Sequence, residues 1–580
     1  MKNRRFPIFL IIILALVLIV LARCQRNTPA EFPEPERFEA QTLPPGSQLP
    51  EVVLRPGQHL VTGQIVVSGG ANDIDRVLRD ERGELVLGLR QVTTTTLDYL
   101  GEFPLPGDGG DIRQQTQGKR LRTSDPLTGR WQQLSNLRID LYEFTEATPP
   151  LDKTLQQIAA IVESRQGDLE FGVVAEPNYV TGFEISGDPW GVEGSPWGVE
   201  GSSNAGSGTA NTSYASDLFW TQWALQPLPG INLLAPGALP MARALESDGN
   251  GVQVAVFDSS PFDDEGGYQF VDWGPPEVNP LTLTVSHPVT LPISEFDSAR
   301  PEEEKGRLAD HGLFVSGLVY AVAPASDIHL IRILNDDGQG TLQAFIEALN
   351  IYMRERLGDQ GSLQNTVINL SLGTAEPDNE ELPQEARDAI ESMLKSSGLT
   401  SIATGGTPVF SLEIPMIIAN RYGATIVAAS GNDSAEASVA LPAQLPAAYP
   451  LVVGVEAGNK VPRRSCYSNE GDLLAPGGGG GSGERGEGTP ESDGKGCLPT
   501  HMMCEKADCR YGVISYALKT TRGFAFWVGT SFATPLVSGL AADVIQGNTA
   551  FSPGDVQAAL LCSAASSGVV DAVSALGGCP

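Results

Sequence analysis

Apolar positions change their rhythm several times along this chain. An unbroken apolar run from Phe6 to Ala22 is preceded by Lys2, Arg4 and Arg5 and followed by Arg23 and Arg26. As a helix it would be about 25 Å long, just enough to span a bilayer. Residues 23–50 are rich in Pro, Glu and Gln, carry no apolar period, and read as a linker. From Val52 to Val180 short alternating stretches appear, such as Gln64 to Val67 and Leu137 to Phe144, then helical spacing through Leu155, Ile158 and Ile161. That mixture predicts a small α+β domain over residues 51–183.

Between 184 and 216 the composition shifts to Gly, Ser, Asn and Thr, and Pro189-Trp-Gly-Val-Glu-Gly-Ser195 is repeated at once as Pro196 to Ser202. Two copies cannot build a solenoid, so the stretch reads as an exposed, protease-sensitive connection. From 217 to 580 near-continuous β-branched and aliphatic runs recur at Val252 to Phe257, Ile328 to Leu334, Thr366 to Leu372, Thr425 to Ala429 and Leu451 to Val455. Helix-length segments separate them, for example Thr341 to Leu357 and Glu385 to Lys395. The alternation predicts an α/β fold, a parallel β-sheet flanked by helices on both faces. Ligands of such sheets bind beyond the carboxyl ends of the strands.

Charge narrows the partners. A formal net charge of −32 and a pI near 4.5 disfavour a phosphate-backbone partner, whose binding relies on clustered Lys and Arg. No nucleic acid is expected, and the acidity reads as a solvated surface. No metal site is assigned; structural calcium stays open, although no EF-hand-like spacing occurs.

The N-terminal run has two readings, an uncleaved signal anchor with its basic end inside or a signal peptide cut after Ala22. The length of the run and the basic residues directly behind it favour the anchor. Cys24 invites a lipoprotein reading, but Arg23 before it is wrong for that processing. Either way the rest of the chain is expected outside the cytoplasm. There Cys466, Cys497, Cys504, Cys509, Cys562 and Cys579 form an even set that suggests disulfides, with pairing undeducible. A metal cluster of Cys497, His501, Cys504 and Cys509 is the rival, against which oxidation and an unfamiliar spacing both count.

Three polar clusters fall at the edges of the C-terminal elements. Asp258 directly follows the strand Val252 to Phe257; His311 opens a helix continued by Val315, Leu318 and Val319; and Gly529-Thr-Ser-Phe-Ala-Thr-Pro535 opens the apolar helix Leu536 to Ile545. Taken singly they read as a turn residue, a structural histidine and an N-cap serine. Ser531 at a helix N-terminus sits where N–H groups favour developing negative charge. Together, Asp, His and Ser supply an orienter, a base and a nucleophile.

At this point the chain resembles the subtilisin-like (S8) serine proteases, from about Trp220 to Ile545. The resemblance maps the family's Asp to Asp258, its His-Gly to His311 and its Gly-Thr-Ser-x-Ala-x-Pro to Ser531. It maps the oxyanion asparagine to Asn432, in Ala429-Ser-Gly-Asn432. Val367 to Gly373 is similar to the strand whose edge receives the peptide, implying Ser371, Leu372 and Gly373 as substrate-binding residues. Ala175-Glu-Pro-Asn-Tyr179 is similar to the end of an inhibitory propeptide, and Gln222 to Leu225 resembles a mature-domain start. The implied protein is a serine endopeptidase acting on polypeptides through an acyl-enzyme, made as a precursor inhibited by its own residues 51–183 and cut between Val180 and Trp220. No cofactor is implied.

Departures are Ser259 and Ser260 after the Asp, Leu313 after His-Gly, Ser430 before Gly431-Asn432, and Thr374 after Ser-Leu-Gly. The Gly- and Cys-rich stretch 477–526 reads as an insertion. The competing function is a secreted pseudoprotease that keeps the fold as a binding scaffold, which retention of the catalytic positions argues against. No Gly-x-Ser-x-Gly elbow supports a different hydrolase.

Overall fold

A computed structural model describes residues 52–182 and 219–577, apart from internal stretches of which the longest are 104–111, 227–246, 274–280, 295–306 and 479–511. The membrane-length run, the 23–50 linker, the repeat-bearing connection and most of the 477–526 insertion lie outside the described residues.

The N-terminal part contains strands β1 (Val53–Leu54), β2 (Leu60–Gly70) and β3 (Leu89–Thr96), the hairpin β4 (Ile112–Thr116) and β5 (Lys119–Thr123), then β6 (Leu137–Phe144) and β7 (Val173–Gly182). Helix α1 (Ala71–Leu78) follows β2, and α2 (Leu151–Ser164) lies between β6 and β7. The expected helical spacing holds with one adjustment. Leu155, Ile158, Ala159 and Val162 make the buried stripe of α2, and Ile161 is only half-buried beside it. Strands β7, β2, β6 and β3 pair antiparallel in that order.

The C-terminal part begins with β8 (Gln253–Asp258), β9 (Gln269–Trp273), β10 (Leu281–Ser286), β11 (Ile293–Ser294) and α3 (His311–Val322). Next come β12 (Asp327–Arg332), β13 (Gln339–Thr341), α4 (Leu342–Gln360), β14 (Thr366–Leu370) and β15 (Gly373–Thr374). They are followed by α5 (Gln384–Ser396), α6 (Phe410–Arg421), β16 (Thr425–Ala429), β17 (Val452–Gly458) and β18 (Leu473–Pro476). A hairpin of β19 (Val513–Tyr516) and β20 (Phe524–Trp527) leads to α7 (Thr530–Gly547), α8 (Pro553–Ala564) and α9 (Ala572–Leu576).

Eight strands form one sheet in the order β18-β17-β16-β14-β8-β12-β10-β9, parallel throughout except for β9 against β10. Its central strands β14, β8 and β16 are mostly apolar and almost wholly buried because both faces are covered. Ala255 and Phe257 of β8 join one buried cluster with Phe345 and Leu349 of α4 and Ile417 of α6. Val254 and Val256, pointing the other way, join a second cluster with Leu318 of α3 and Leu540 of α7. The sequence-expected α/β architecture is therefore present.

The two parts share structure. β7 pairs antiparallel with both β13 and β15, extending the N-terminal sheet with strands from the C-terminal half. The first buried cluster also runs without interruption from Ile65 and Ile158 to Phe345 and Met393. From Pro50 to Pro580 the chain forms one compact unit. Among the described residues no helix is long and apolar enough to cross a membrane. Cys562 is disulfide-bonded, and the other cysteines lie outside the described residues.

Candidate active site

The chain leaves β8 for β12 on one side and later returns to β14 on the other, so β8 is the topological switch point of the sheet. A crevice for ligands forms beyond the carboxyl ends of strands at such a point. Three neighbouring strands end there in residues singled out from sequence. Asp258 is the last residue of β8, Ser371 follows β14, and Ser430-Gly431-Asn432 follows β16. Helices α3 and α7 start at the same edge with His311 and with Thr530-Ser531.

Asp258 and His311 are both fully buried, and the imidazole Nδ1 lies 2.8 Å from Asp258 Oδ1 and 3.0 Å from Oδ2. An N–H at Nδ1 would be held by the carboxylate, which leaves Nε2 as the position able to accept a proton. Ser259 explains how the strand end is fixed. Its backbone N–H donates to Asp258 Oδ1 at 2.7 Å, and its hydroxyl donates to the carbonyls of Leu308 at 2.6 Å and Ala309 at 3.2 Å. The departure from the family's usual residue thus ties the β8 end to the turn that delivers His311. Gly312 is required for the approach, since a Cβ there would collide with the Ser259 carbonyl oxygen and come within 2.7 Å of Leu330 Cδ1.

The imidazole packs among aromatic rings. Trp527 lies 5.9 Å away at 27° and Phe532 5.1 Å away at 50°. Phe532 immediately follows Ser531, so the ring of the expected base touches the next residue after the expected nucleophile. Trp527 in turn stacks on Phe314 of α3 at 4.7 Å. Sequence reading missed Trp527, which directly follows the 477–526 segment read only as an insertion.

Ser531 is buried, and its hydroxyl donates to the Ser371 carbonyl at 3.1 Å. The Ser371 hydroxyl donates back to the Ser531 carbonyl at 2.8 Å. Behind it Asn369 Nδ2 donates to Ser371 Oγ at 3.0 Å, and Ser538 Oγ donates to Asn369 Oδ1 at 2.8 Å. Asn432 joins the same edge by its carboxamide oxygen, which accepts from Thr530 N at 2.9 Å and Thr530 Oγ1 at 3.0 Å. With its oxygen held by the residue before Ser531, the amide Nδ2 is the end left to donate elsewhere. Gly431, at φ 107°, makes the turn that brings Asn432 in.

Gly373 and Thr374 lie one step further along, paired with Gly182 and Thr181 of β7. On the other flank Gln339, Gly340 and Thr341 pair with Gly182, Thr181 and Val180. The end of β7 is thus the middle of three strands. The Thr374 N–H donates to the Leu445 carbonyl at 2.8 Å. Leu372, the remaining expected residue of this edge, is buried in the first apolar cluster.

A family model, the subtilase family (Peptidase_S8), matches residues 285–577, just over half of the 580 residues. The chain belongs to the subtilase family. The matched stretch of this subtilase contains His311, Asn432 and Ser531, whereas Asp258 precedes it, so the place of the aspartate rests on its hydrogen bond to His311. The subtilase is 25% identical over 273 residues to the minor extracellular protease Epr of Bacillus subtilis (strain 168), covering 44% of this chain and 30% of that protein. It is likewise 25% identical over 273 residues to the extracellular serine proteinase of Thermus sp. (strain Rt41A), covering 46% of this chain and 48% of that protein. The chain therefore spans less than half the length of each of these curated relatives. A solved protease structure from Pseudoalteromonas arctica PAMC 21717 is similar at 18% identity and a TM-score of 0.39, covering 63% of this chain and 99% of that one.

The other described histidines have different surroundings. His329 lies inside β12, its Nε2 2.8 Å from Ser286 Oγ, and burial pushes it down to about 3, so it stays neutral. His59 pairs with Glu381. Among the described residues no group of three or more His, Cys, Asp or Glu is placed to hold a metal ion.

Proposed function

We propose that this subtilase is a serine endopeptidase that cleaves polypeptides through an acyl-enzyme, with residues 51–183 as its own inhibitory propeptide. The observation that carries the reading is the 2.8 Å contact between Asp258 and His311, 53 residues apart in sequence, at the strand edge where Ser531 and Asn432 also lie.

In this reading Ser531 Oγ attacks the scissile carbonyl as His311 Nε2 takes its proton, while Asp258 holds Nδ1–H and stabilises the imidazolium. The oxyanion accepts hydrogen bonds from Asn432 Nδ2 and the Ser531 N–H, at the N-terminus of α7. His311 then gives the proton to the leaving amine, and water repeats the sequence to free the acid. Substrate adds as a strand between β13 and β15, with Ser371, Leu372 and Gly373 as one wall. Support for that path comes from β7, whose end already runs there. The same pairing supports residues 51–183 as an inhibitor that fills the cleft until it is cut. The names of the relatives, both extracellular, favour a site of action outside the cytoplasm, with residues 1–22 as anchor or export signal and disulfides among the C-terminal cysteines.

Labelling of the processed protein by a fluorophosphonate tests this. Incorporation at Ser531, abolished by Ser531→Ala, is expected; an unlabelled but folded wild-type chain would identify a pseudoprotease.

A further inference from the structure

Trp527 is the last residue of β20 and sits on neither of the helices that carry His311 and Ser531, yet its ring lies 5.9 Å from the imidazole at an interplanar angle of 27°. Phe532, next to Ser531 in the first turn of α7, lies 5.1 Å from the same imidazole. Trp527 and Phe532 are themselves 5.4 Å apart, so the three centroids form a nearly equilateral triangle and both rings stand on one side of the imidazole. Phe314, one turn after His311 on α3, completes the backing: it stacks on Trp527 at 4.7 Å and 12° and meets Phe532 edge-on at 4.8 Å. Trp527 is 1% exposed, and its indole N–H meets no acceptor among the described residues, so its contribution here is a ring face and not a hydrogen bond. The hairpin that carries it is held from two sides. The Gln222 side chain donates to the Ile514 carbonyl at 3.0 Å and accepts from the Ile514 N–H at 2.9 Å, and Ser515 Oγ donates to the Phe314 carbonyl at 2.6 Å.

Asp258 anchors the imidazole at Nδ1 alone. The torsion that carries a histidine ring has a broad minimum, so a single anchored atom leaves the ring able to swing about that anchor and take Nε2 away from Ser531. A rigid aromatic backing closes that swing on one side, and an aromatic ring within about 6 Å also attracts the cation that His311 becomes on taking a proton. We propose that Trp527 is a positioning residue for the base. Its ring, supported by Phe314 and Phe532, keeps Nε2 of His311 on the side of Ser531, and the hairpin of β19 and β20, clasped by Gln222, sets where that backing stands. This rests on the reading of His311 as the general base.

The test uses the self-processed enzyme, with its competent sites counted by fluorophosphonate uptake so that kcat refers to them alone. Trp527→Leu keeps the apolar bulk without the flat face, and Trp527→Phe keeps a ring. The Leu variant is expected to lose roughly tenfold in kcat with KM within about twofold, and the Phe variant to recover most of that loss. A purely structural role would lower the unfolding temperature and the number of counted sites but leave kcat per site unchanged; that result overturns the proposal, as does an equal loss in both variants. The Nδ1–H proton of His311, observed at low field by NMR on histidine-labelled protein, reports the placement of the ring without turnover. It is expected to be sharp in the wild type and in Trp527→Phe and broadened in Trp527→Leu, and a resonance unchanged in Trp527→Leu overturns the proposal. A Leu variant that does not mature is read by the same resonance in the full chain. If the wild type takes up no label, the protease reading fails instead, and the resonance alone decides whether Trp527 backs His311.

Discussion

The hydroxyls of Ser371 and Ser531 each donate to the other residue's backbone carbonyl, at 2.8 and 3.1 Å. This reciprocal pair fixes the first turn of α7 to the end of β14. Ser371 is thereby a positioning residue as well as part of the proposed substrate wall. Ser371→Ala strands the Ser531 carbonyl and the Asn369 amide in a buried site, which costs about 1–3 kcal/mol. The expected outcome is a lower urea midpoint and a several-fold fall in kcat with KM little changed, read by denaturation and steady-state kinetics on one preparation. A variant with unaltered kcat would show that the pair holds nothing needed for chemistry.

Thr530 orients Asn432 through two hydrogen bonds to its carboxamide oxygen. Asn432→Ala is expected to lower kcat by about a hundredfold or more while the chain stays folded. That magnitude is the one known for a subtilisin's own asparagine and is carried over to this chain. Thr530→Val removes one of the two bonds and loosens the amide, so a smaller loss of roughly tenfold is expected. The ordering of the two variants is the check, because a purely structural role for Thr530 would lower stability and leave kcat alone.

Much of this site was legible because its residues sit where element boundaries are easiest to see. Asp258 closes an apolar strand run, and His311 and Ser531 open helices, so local pattern and candidate chemistry coincide. Other parts carry a weaker local signal or none. Helix α6 is buried on all sides and contains Pro415, so it lacks the one-faced period by which a helix is recognised. Glu176 and Asn178 look out of place in a wholly buried strand, and only the fold explains them. Glu176 accepts from Phe410 N and Ser411 N at the start of α6, and Asn178 accepts from Gln343 N at the start of α4. Their partners are 165 to 235 residues away, beyond any pattern in a short window. Polar side chains in this β7 motif are the signal that could have found them, since a buried strand tolerates such residues only when something pairs with them.

The same capping predicts a pH dependence. Burial pushes Glu176 up to about 7, against which the Ser411 and Phe410 donors work only in part. Burial pushes Glu413 up to about 8, with Glu176 adding to the rise while Ser401 and Ile402 oppose it. Tyr179 and Tyr449 are the other titratable groups facing the pair, and Ser68 and Ser411 lie beside it. Carboxyls with raised folded values bind more protons folded than unfolded, so their contribution is complete below about 4.5 and falls as pH rises through 7 and 8. At about 1.4 kcal/mol per unit, the joined domains are expected to lose roughly 7 kcal/mol between pH 5 and 9 from this pair. Glu176→Gln should flatten the profile of urea midpoint against pH; an unchanged slope would remove the pair from the account.

The register of β7 predicts where the proposed maturation cut would fall. Gly182 pairs with Gly373, and Ser531 Oγ bonds to the carbonyl of Ser371, two residues earlier on that edge. Two residues of strand span about 7 Å, so a chain continuing past Gly182 in the same direction meets the serine hydroxyl within a few residues. The first cut is therefore expected between residues 183 and 186, at the near end of the Gly- and Ser-rich connection, with any trimming toward Trp220 coming later. Intact-mass analysis over a processing time course should detect a C-terminal species beginning in that window before any shorter one, and Ser531→Ala should abolish it. A first product that starts beyond the Trp-Gly-Val-Glu-Gly repeat would mean that the end of β7 is not presented to Ser531 as a substrate.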